Sequence, residues 1–157
     1  MSKSTRATLV LNKLGIDFTF HHYDYDPNAE RTGIQAAEAV GIEPRRLLKT
    51  LMAEVDDKPV CVIVPSDQEV SMKKLAAAVG GKSAQMMKPP EAERVTGYKV
   101  GGISPFGQRK QVHTVIEQSA LAHELVYLNG GQRGLQVRMK PTDVRDVVKA
   151  VVAGVLA

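Results

Sequence analysis

The 157 residues suffice for one packed domain with a real core, and an apolar content of 43% excludes bulk disorder. A single cysteine excludes a disulfide framework or multi-cysteine metal site, aromatics at 4% without tryptophan leave little for broad base-stacking platforms, and no apolar run is long enough for a membrane helix. The net charge is +4, and the N-terminal Met1-Ser2-Lys3-Ser4-Thr5-Arg6 leads into no signal-type stretch, so a cytoplasmic enzyme or binding domain is expected, with no membrane.

In chain order, Thr5–Leu14 reads as a helix stopped by Gly15. Ile16–Tyr25 reads as extended, with Phe18, Phe20 and His22 alternating with Asp17, Thr19 and His21. Asp26-Pro27-Asn28 signals a turn. Thr32 with Gln35 forms a capping-box pattern for a helix to Val40, ended by Gly41, and Pro44 opens a further short helix through Leu47 or Leu48. Thr50–Val55 and Val60–Val64 predict a hairpin joined by Asp56-Asp57-Lys58-Pro59. Ser71 caps a helix over Met72–Val79, ended by Gly80-Gly81, and Pro90–Val95 gives another, ended by Gly97. Lys99–Gly107 is a glycine-rich loop. Val112–Ile116, Leu125–Leu128 and Gln136–Met139 read as strands, the last following a Gly130–Gly134 turn. Pro141 opens a C-terminal helix with Val144, Val147, Val148, Val151 and Val152 inward. Strands and helices mix without βαβ alternation, which predicts an α+β fold whose mixed, β-barrel-like sheet is flanked by helices, over one domain spanning 1–157.

Charge is uneven. Between Ser71 and Lys110 eight lysines and arginines face only Glu91 and Glu93, and Arg133, Arg138, Lys140, Arg145 and Lys149 follow. A polyanion partner fits this excess, as does a solvated lysine face.

Several near-motifs fail on their own terms. Gly81-Lys82-Ser83 ends like a phosphate loop, but Ala76 stands where the leading glycine is needed. Gly102-Ile103-Ser104-Pro105-Phe106 lacks the closing glycine of a nucleophile elbow. Cys61 within Val60–Val64 reads as a buried hydrophobe. The four histidines show no ligand spacing, so neither metal nor cofactor is expected.

Three segments remain. Lys49 in Leu47-Leu48-Lys49-Thr50-Leu51 sits among apolar residues, where lysine is either snorkelling or useful. Tyr98–Gly107 carries paired glycines that let amides approach a ligand, or simply turn the chain. Asn129-Gly130-Gly131-Gln132-Arg133-Gly134 is a second donor-rich loop or a plain hairpin connection.

Lys49-Thr50-Leu51, Gly101-Gly102-Ile103-Ser104-Pro105-Phe106-Gly107 and Gly131-Gln132-Arg133-Gly134-Leu135, in this order and separation, resemble the YbaK/EbsC family, free-standing relatives of the editing domain of bacterial prolyl-tRNA synthetases. The stretch His22-Tyr23-Asp24-Tyr25-Asp26-Pro27 also fits, and the likeness covers nearly the whole chain. The resemblance implies the YbaK/prolyl-tRNA synthetase-associated domain fold and a trans-editing aminoacyl-tRNA deacylase, with Cys-tRNA(Pro) as substrate. The partners it implies are the tRNA acceptor end and prolyl-tRNA synthetase. Other expectations are a deacylase for alanine or serine, a non-catalytic tRNA- or synthetase-binding module, or a hydrolase of another small ester.

By the same resemblance Lys49 is the catalytic residue, and backbone amides around Gly101 and Gly102 stabilise an oxyanion. Tyr23, Thr50, Ile103, Ser104, Pro105, Phe106, Gly107, Asn129 and Gly130 complete the implied substrate site. Family deacylases often have serine at the position of Asn129 and aspartate at that of Gln136, so the chain departs from the pattern at both.

Overall fold

The computed structural model describes residues 4–29 and 32–157, with only the backbone of Thr32. Helix α1 (Arg6–Lys13) is capped by Thr5, which exchanges bonds with Thr8 in a reciprocal box. The capping box expected at Thr32 lies outside the described side chains. Helix α2 spans Thr32–Val40, and Gln35 Nε2 instead donates to the Asp24 carbonyl at 3.0 Å. Pro44–Arg46 forms only a 3₁₀ turn. The expected helix stops there because Leu47 already bridges Tyr127 and Leu48 begins a strand.

Strands β2 (Leu48–Val55) and β3 (Lys58–Pro65) form the expected hairpin. Asp56 and Asp57 both take positive φ, 49° and 67°, the twist that a two-residue hairpin turn requires. Helices α3 (Met72–Ala78) and α4 (Pro89–Thr96) stand where their caps place them. Between them β4 (Ala84–Met86), unforeseen, pairs with β2. Strands β5 (His113–Glu117), β6 (Val126–Asn129) and β7 (Leu135–Met139) follow the expected segments.

Two further expectations are corrected. The extended stretch contracts to β1 (Thr19–His22): Phe18, just before it, packs on the core as expected, but Phe20 is exposed, while His21 packs its ring against Tyr127, centroids 5.1 Å apart. The last helix, α5 (Pro141–Val148), ends at Lys149 with φ 52°, and Val151–Ala153 is strand β8, parallel to β5.

The α+β class and the mixed sheet hold, but the strands form two sheets rather than a closed barrel. One has the order β1-β7-β6; the other, β4-β2-β3-β5-β8, is antiparallel on one side of β3 and parallel on the other. The Leu47–Tyr127 bridge joins them. The main core, including Leu48, Ile63, Phe106, Ile116, Leu128 and Val137, lies between the sheets and α1. A second cluster around Val62, Leu75 and Val115 seats α3. No described helix is long and apolar enough to cross a membrane.

Candidate functional site

The start of β2 meets the glycine-rich loop and the ends of β6 and β7 at a cleft of about 130 Å³. Tyr23, Lys49, Thr50, Gly101, Ile103 and Asn129, six of the residues expected at the site, line it together. Gln136 joins them, with Gly33 and Ala36 from α2 and the apolar Leu47, Leu48 and Leu51. The α2 wall had no sequence signal beyond small residues at helical spacing.

Lys49 is held by the β2–β3 ladder opposite Val64. Its side chain is 21% exposed, and its ammonium faces the solvent-swept Glu69 carboxylate at 3.8 Å. Thr50 falls on the strand face shared with Leu48 and Met52. Among the described residues its buried Oγ1 has no hydrogen-bond partner, and neither has Oε1 of Gln136, a residue only 3% exposed. A buried polar atom without a partner costs about 1–3 kcal/mol. Two such atoms on one cleft are open to the polar groups of a ligand or to ordered water.

Burial raises the Tyr23 phenol above its ordinary pKa, opposed by hydrogen bonds to Gln136 and Gly134, so it remains a protonated donor at neutral pH. Asn129 faces Gln136 across the β6–β7 ladder, and all its polar capacity is spent internally. Its Nδ2 donates to the carbonyls of Gly101 (3.1 Å) and Gln132 (3.2 Å), and its Oδ1 accepts from the amides of Gly131 (2.6 Å) and Gln132 (3.1 Å). It lines the cleft as the fastener between two loops.

The glycine loop divides between tasks. Gly101 has φ 91° and lies so close to Tyr25 that a Cβ there would fall 2.4 Å from the phenol oxygen. The Gly102 amide donates to the Lys99 carbonyl at 2.8 Å. The expected anion wall therefore loses this donor, while the amides of Gly101 and Ile103 have no acceptor among the described residues.

The remaining expected residues do not line this cleft. Gly102 faces the Gln132–Arg133 backbone. Ser104 is fully buried, its Oγ accepting from the Phe106 amide, which removes it as a nucleophile. Pro105, Phe106 and Gly107 border a separate hollow, and the Phe106 carbonyl accepts from the Tyr98 hydroxyl. The Gly130 amide bonds Leu135 and its carbonyl accepts from Thr5.

The discarded motifs stay silent for physical reasons. The Lys82 and Ser83 amides are occupied by the Asp56 carboxylate, at 3.0 Å each. The Cys61 thiol is buried and pushed up to about 12, mainly by desolvation, so it is an inert core group. No group of three His, Cys, Asp or Glu side chains among the described residues could hold a metal ion.

The chain resembles known proteins in sequence and in fold. Over 107 residues the chain is 39% identical to EbsC of Enterococcus faecalis, provisionally named a Cys-tRNA(Pro)/Cys-tRNA(Cys) deacylase; the match covers 67% of this chain and 65% of that one, just under two thirds of EbsC. It is 32% identical to the Proline--tRNA ligase of Caldicellulosiruptor bescii over 105 residues, covering 67% of this chain and 18% of the much longer ligase. The fold superposes with a TM-score of 0.81, at 23% identity and 99% coverage of both chains, on a crystal structure provisionally described as a trans-editing enzyme for prolyl tRNA synthetase. The family described as the aminoacyl-tRNA editing domain matches residues 27–147, and the chain belongs to it.

Proposed function

We propose that the chain, as one editing domain over 1–157, removes a wrongly attached amino acid from the 3′ end of tRNA, with Cys-tRNA(Pro) as its substrate. The observation that carries this reading is the convergence on one cleft of Lys49, two uncommitted loop amides and two unpartnered buried polar atoms. Relatives named for the same chemistry support it. A synthetase site discriminates poorly against a near-isostere of its amino acid, which is why a second site is needed to remove the product.

An aminoacyl ester is already labile, so no protein nucleophile is required. The substrate's thiol sulfur attacks its own carbonyl carbon. The bond to the ribose 3′ oxygen breaks, that oxygen leaves with a proton as the tRNA hydroxyl, and water opens the resulting thiolactone to free cysteine. Holding the reactive conformer gives the intramolecular attack its high effective molarity. The amides of Gly101 and Ile103 and the Lys49 ammonium meet the negative charge that develops on the carbonyl oxygen. Gln136 Oε1 accepts from the substrate's α-ammonium, a neutral acceptor where the resemblance implies a carboxylate. Association with prolyl-tRNA synthetase supplies the tRNA choice that phosphate contacts alone lack, and a tRNA substrate places the reaction in the cytoplasm.

The test is a deacylation assay over Cys-tRNA(Pro), Ala-tRNA(Pro) and Ser-tRNA(Pro). Preferential release of cysteine is expected. Equal or faster release of alanine or serine would replace the thiol-assisted step with attack by water, and binding without release from any of the three would end the reading.

A further inference from the structure

We propose that the groove on the opposite side of the glycine-rich loop is the docking track for the phosphodiester backbone of the RNA strand whose end enters the cleft. The proposal rests on the tRNA reading above and names the surface that holds the substrate's non-reacting part. The groove encloses about 390 Å³ and is lined by residues that include Tyr98, Lys99, Gly102, Gln132 and Arg133, with no carboxylate among them.

Its cations are pre-positioned. Arg133 donates from Nε to the Val100 carbonyl at 2.9 Å and lays its guanidinium 5.1 Å from the Tyr25 ring centroid. This anchoring uses Nε and the ring face and engages neither Nη group in a hydrogen bond among the described residues. Arg6 sits 5.6 Å from the Tyr98 ring centroid. Its Nη1 comes so close to Gly97, which also lines the groove, that a Cβ there would be only 2.5 Å away, and Arg109 Cβ lies within 3.5 Å of the same point. A guanidinium fixed on an aromatic face has lost much of its rotamer freedom beforehand and matches a phosphate in a two-point geometry. Glu93, the acid reaching this region, spends its Oε2 on the Val100 amide at 2.9 Å.

Three backbone donors along the groove are committed elsewhere: Gly102 to Lys99, and Gly131 and Gln132 to Asn129. Side-chain cations therefore carry most of the recognition, as suits a ligand held by repeated phosphates. Groove and cleft flank the same loop, because Gly101 lines the cleft and Gly102 the groove. The positive stretch Ser71–Lys110 is thus divided by the fold. Lys99 and Arg109 join this surface, whereas Lys82 sits at the Asp56 hairpin tip with Lys58. That tip is seven strand residues from Lys49, about 23 Å at ~3.3 Å per residue.

The experiment measures binding of an uncharged tRNA(Pro) transcript to the full chain by fluorescence anisotropy between 50 and 200 mM salt. The pair Lys99→Gln with Arg133→Gln is expected to weaken binding about tenfold or more and to flatten the log–log salt slope by roughly 1–2. Because Arg133 also holds Val100, the pair Lys99→Gln with Arg6→Gln repeats the measurement with that bond intact and is expected to do the same. Lys58→Gln with Lys82→Gln should stay within twofold of wild type. Groove variants that bind like wild type, a tip variant that loses as much, or no measurable binding by wild type would overturn the proposal. Release of cysteine from Cys-tRNA(Pro) is followed in parallel. Groove-dependent binding without release supports the track and defeats the deacylase reading; release with groove-independent binding defeats the track alone.

Discussion

Two of the hollows beside the Gly101–Gly107 loop make a contrast, and the larger of this pair is the quieter. The one beneath Pro105, Phe106 and Gly107 encloses about 200 Å³ between α1, α5 and β5. No buried side-chain polar atom that lines it is left without a partner among the described residues: Gln108 Nε2 donates to the Ser104 carbonyl at 3.0 Å, and the Thr114 hydroxyl to Val112 at 3.1 Å. The smaller cleft holds Lys49 and the unpartnered Thr50 Oγ1 and Gln136 Oε1. Volume alone would choose the first, whereas the unspent polar atoms lie in the second. Unspent hydrogen-bonding capacity, which folding alone would not leave buried, separates a site from a packing gap.

Lys49→Ala is the hardest blow to that contrast. It should cut deacylation turnover by about 10²–10³, the loss typical of one transition-state charge stabiliser, while tRNA affinity and thermal midpoint hold nearly steady. Single-turnover release and anisotropy check both, and wild-type turnover in the folded variant would break the assignment.

Gln136→Leu sharpens the contrast from the other side. Removing an acceptor meant for a charged group should lower kcat/KM about 10–100-fold. The same change relieves a buried unpartnered oxygen, so the midpoint of urea denaturation should rise. A variant both less stable and fully active would place Gln136 with the structural groups.

Asn129→Ala should behave in the opposite sense. It removes four internal hydrogen bonds and should cost about 2–4 kcal/mol in denaturant unfolding, with activity falling as the two loops separate. Tyr98 gives the mildest test. Burial, its main cause, raises the phenol to about 12, with Arg6 pulling the other way. The folded state therefore retains a proton that the unfolded chain releases near 10, so stability is intact below pH 10 and declines toward pH 12. Tyr98→Phe should flatten that decline, as read by thermal unfolding across this range.

Much of this was legible from side-chain type. Thr5, Ser71, Gly41 and Gly97 mark helix ends because caps and left-handed turns demand those residues. Lys49 stands out because a lysine between leucines needs a reason to be there. What escaped depended on partners distant in sequence. Val151 and Val152 continue the helical spacing of Val144 and Val148, and only Lys149 in a left-handed turn, where glycine would have announced the stop, sends them onto β5 as a strand. Strand β4 is three residues long and exists through pairing with β2. Which glycine served which hollow was invisible too, since Gly102 is committed by a bond to Lys99 and by the backbone of Arg133.

The Lys49–Glu69 pair carries a last consequence. The ammonium does not wait bare for its substrate; at 3.8 Å it already keeps company with a carboxylate that is 73% exposed. Such a pair is worth at most about 1 kcal/mol and fades as ions accumulate. Ionic strength should therefore pull in two directions, loosening the grip on a polyanionic substrate while releasing the lysine from its resting companion. Turnover at saturating tRNA should hold or climb gently with salt even as the Michaelis constant worsens, and replacing Glu69 with glutamine should erase the climb.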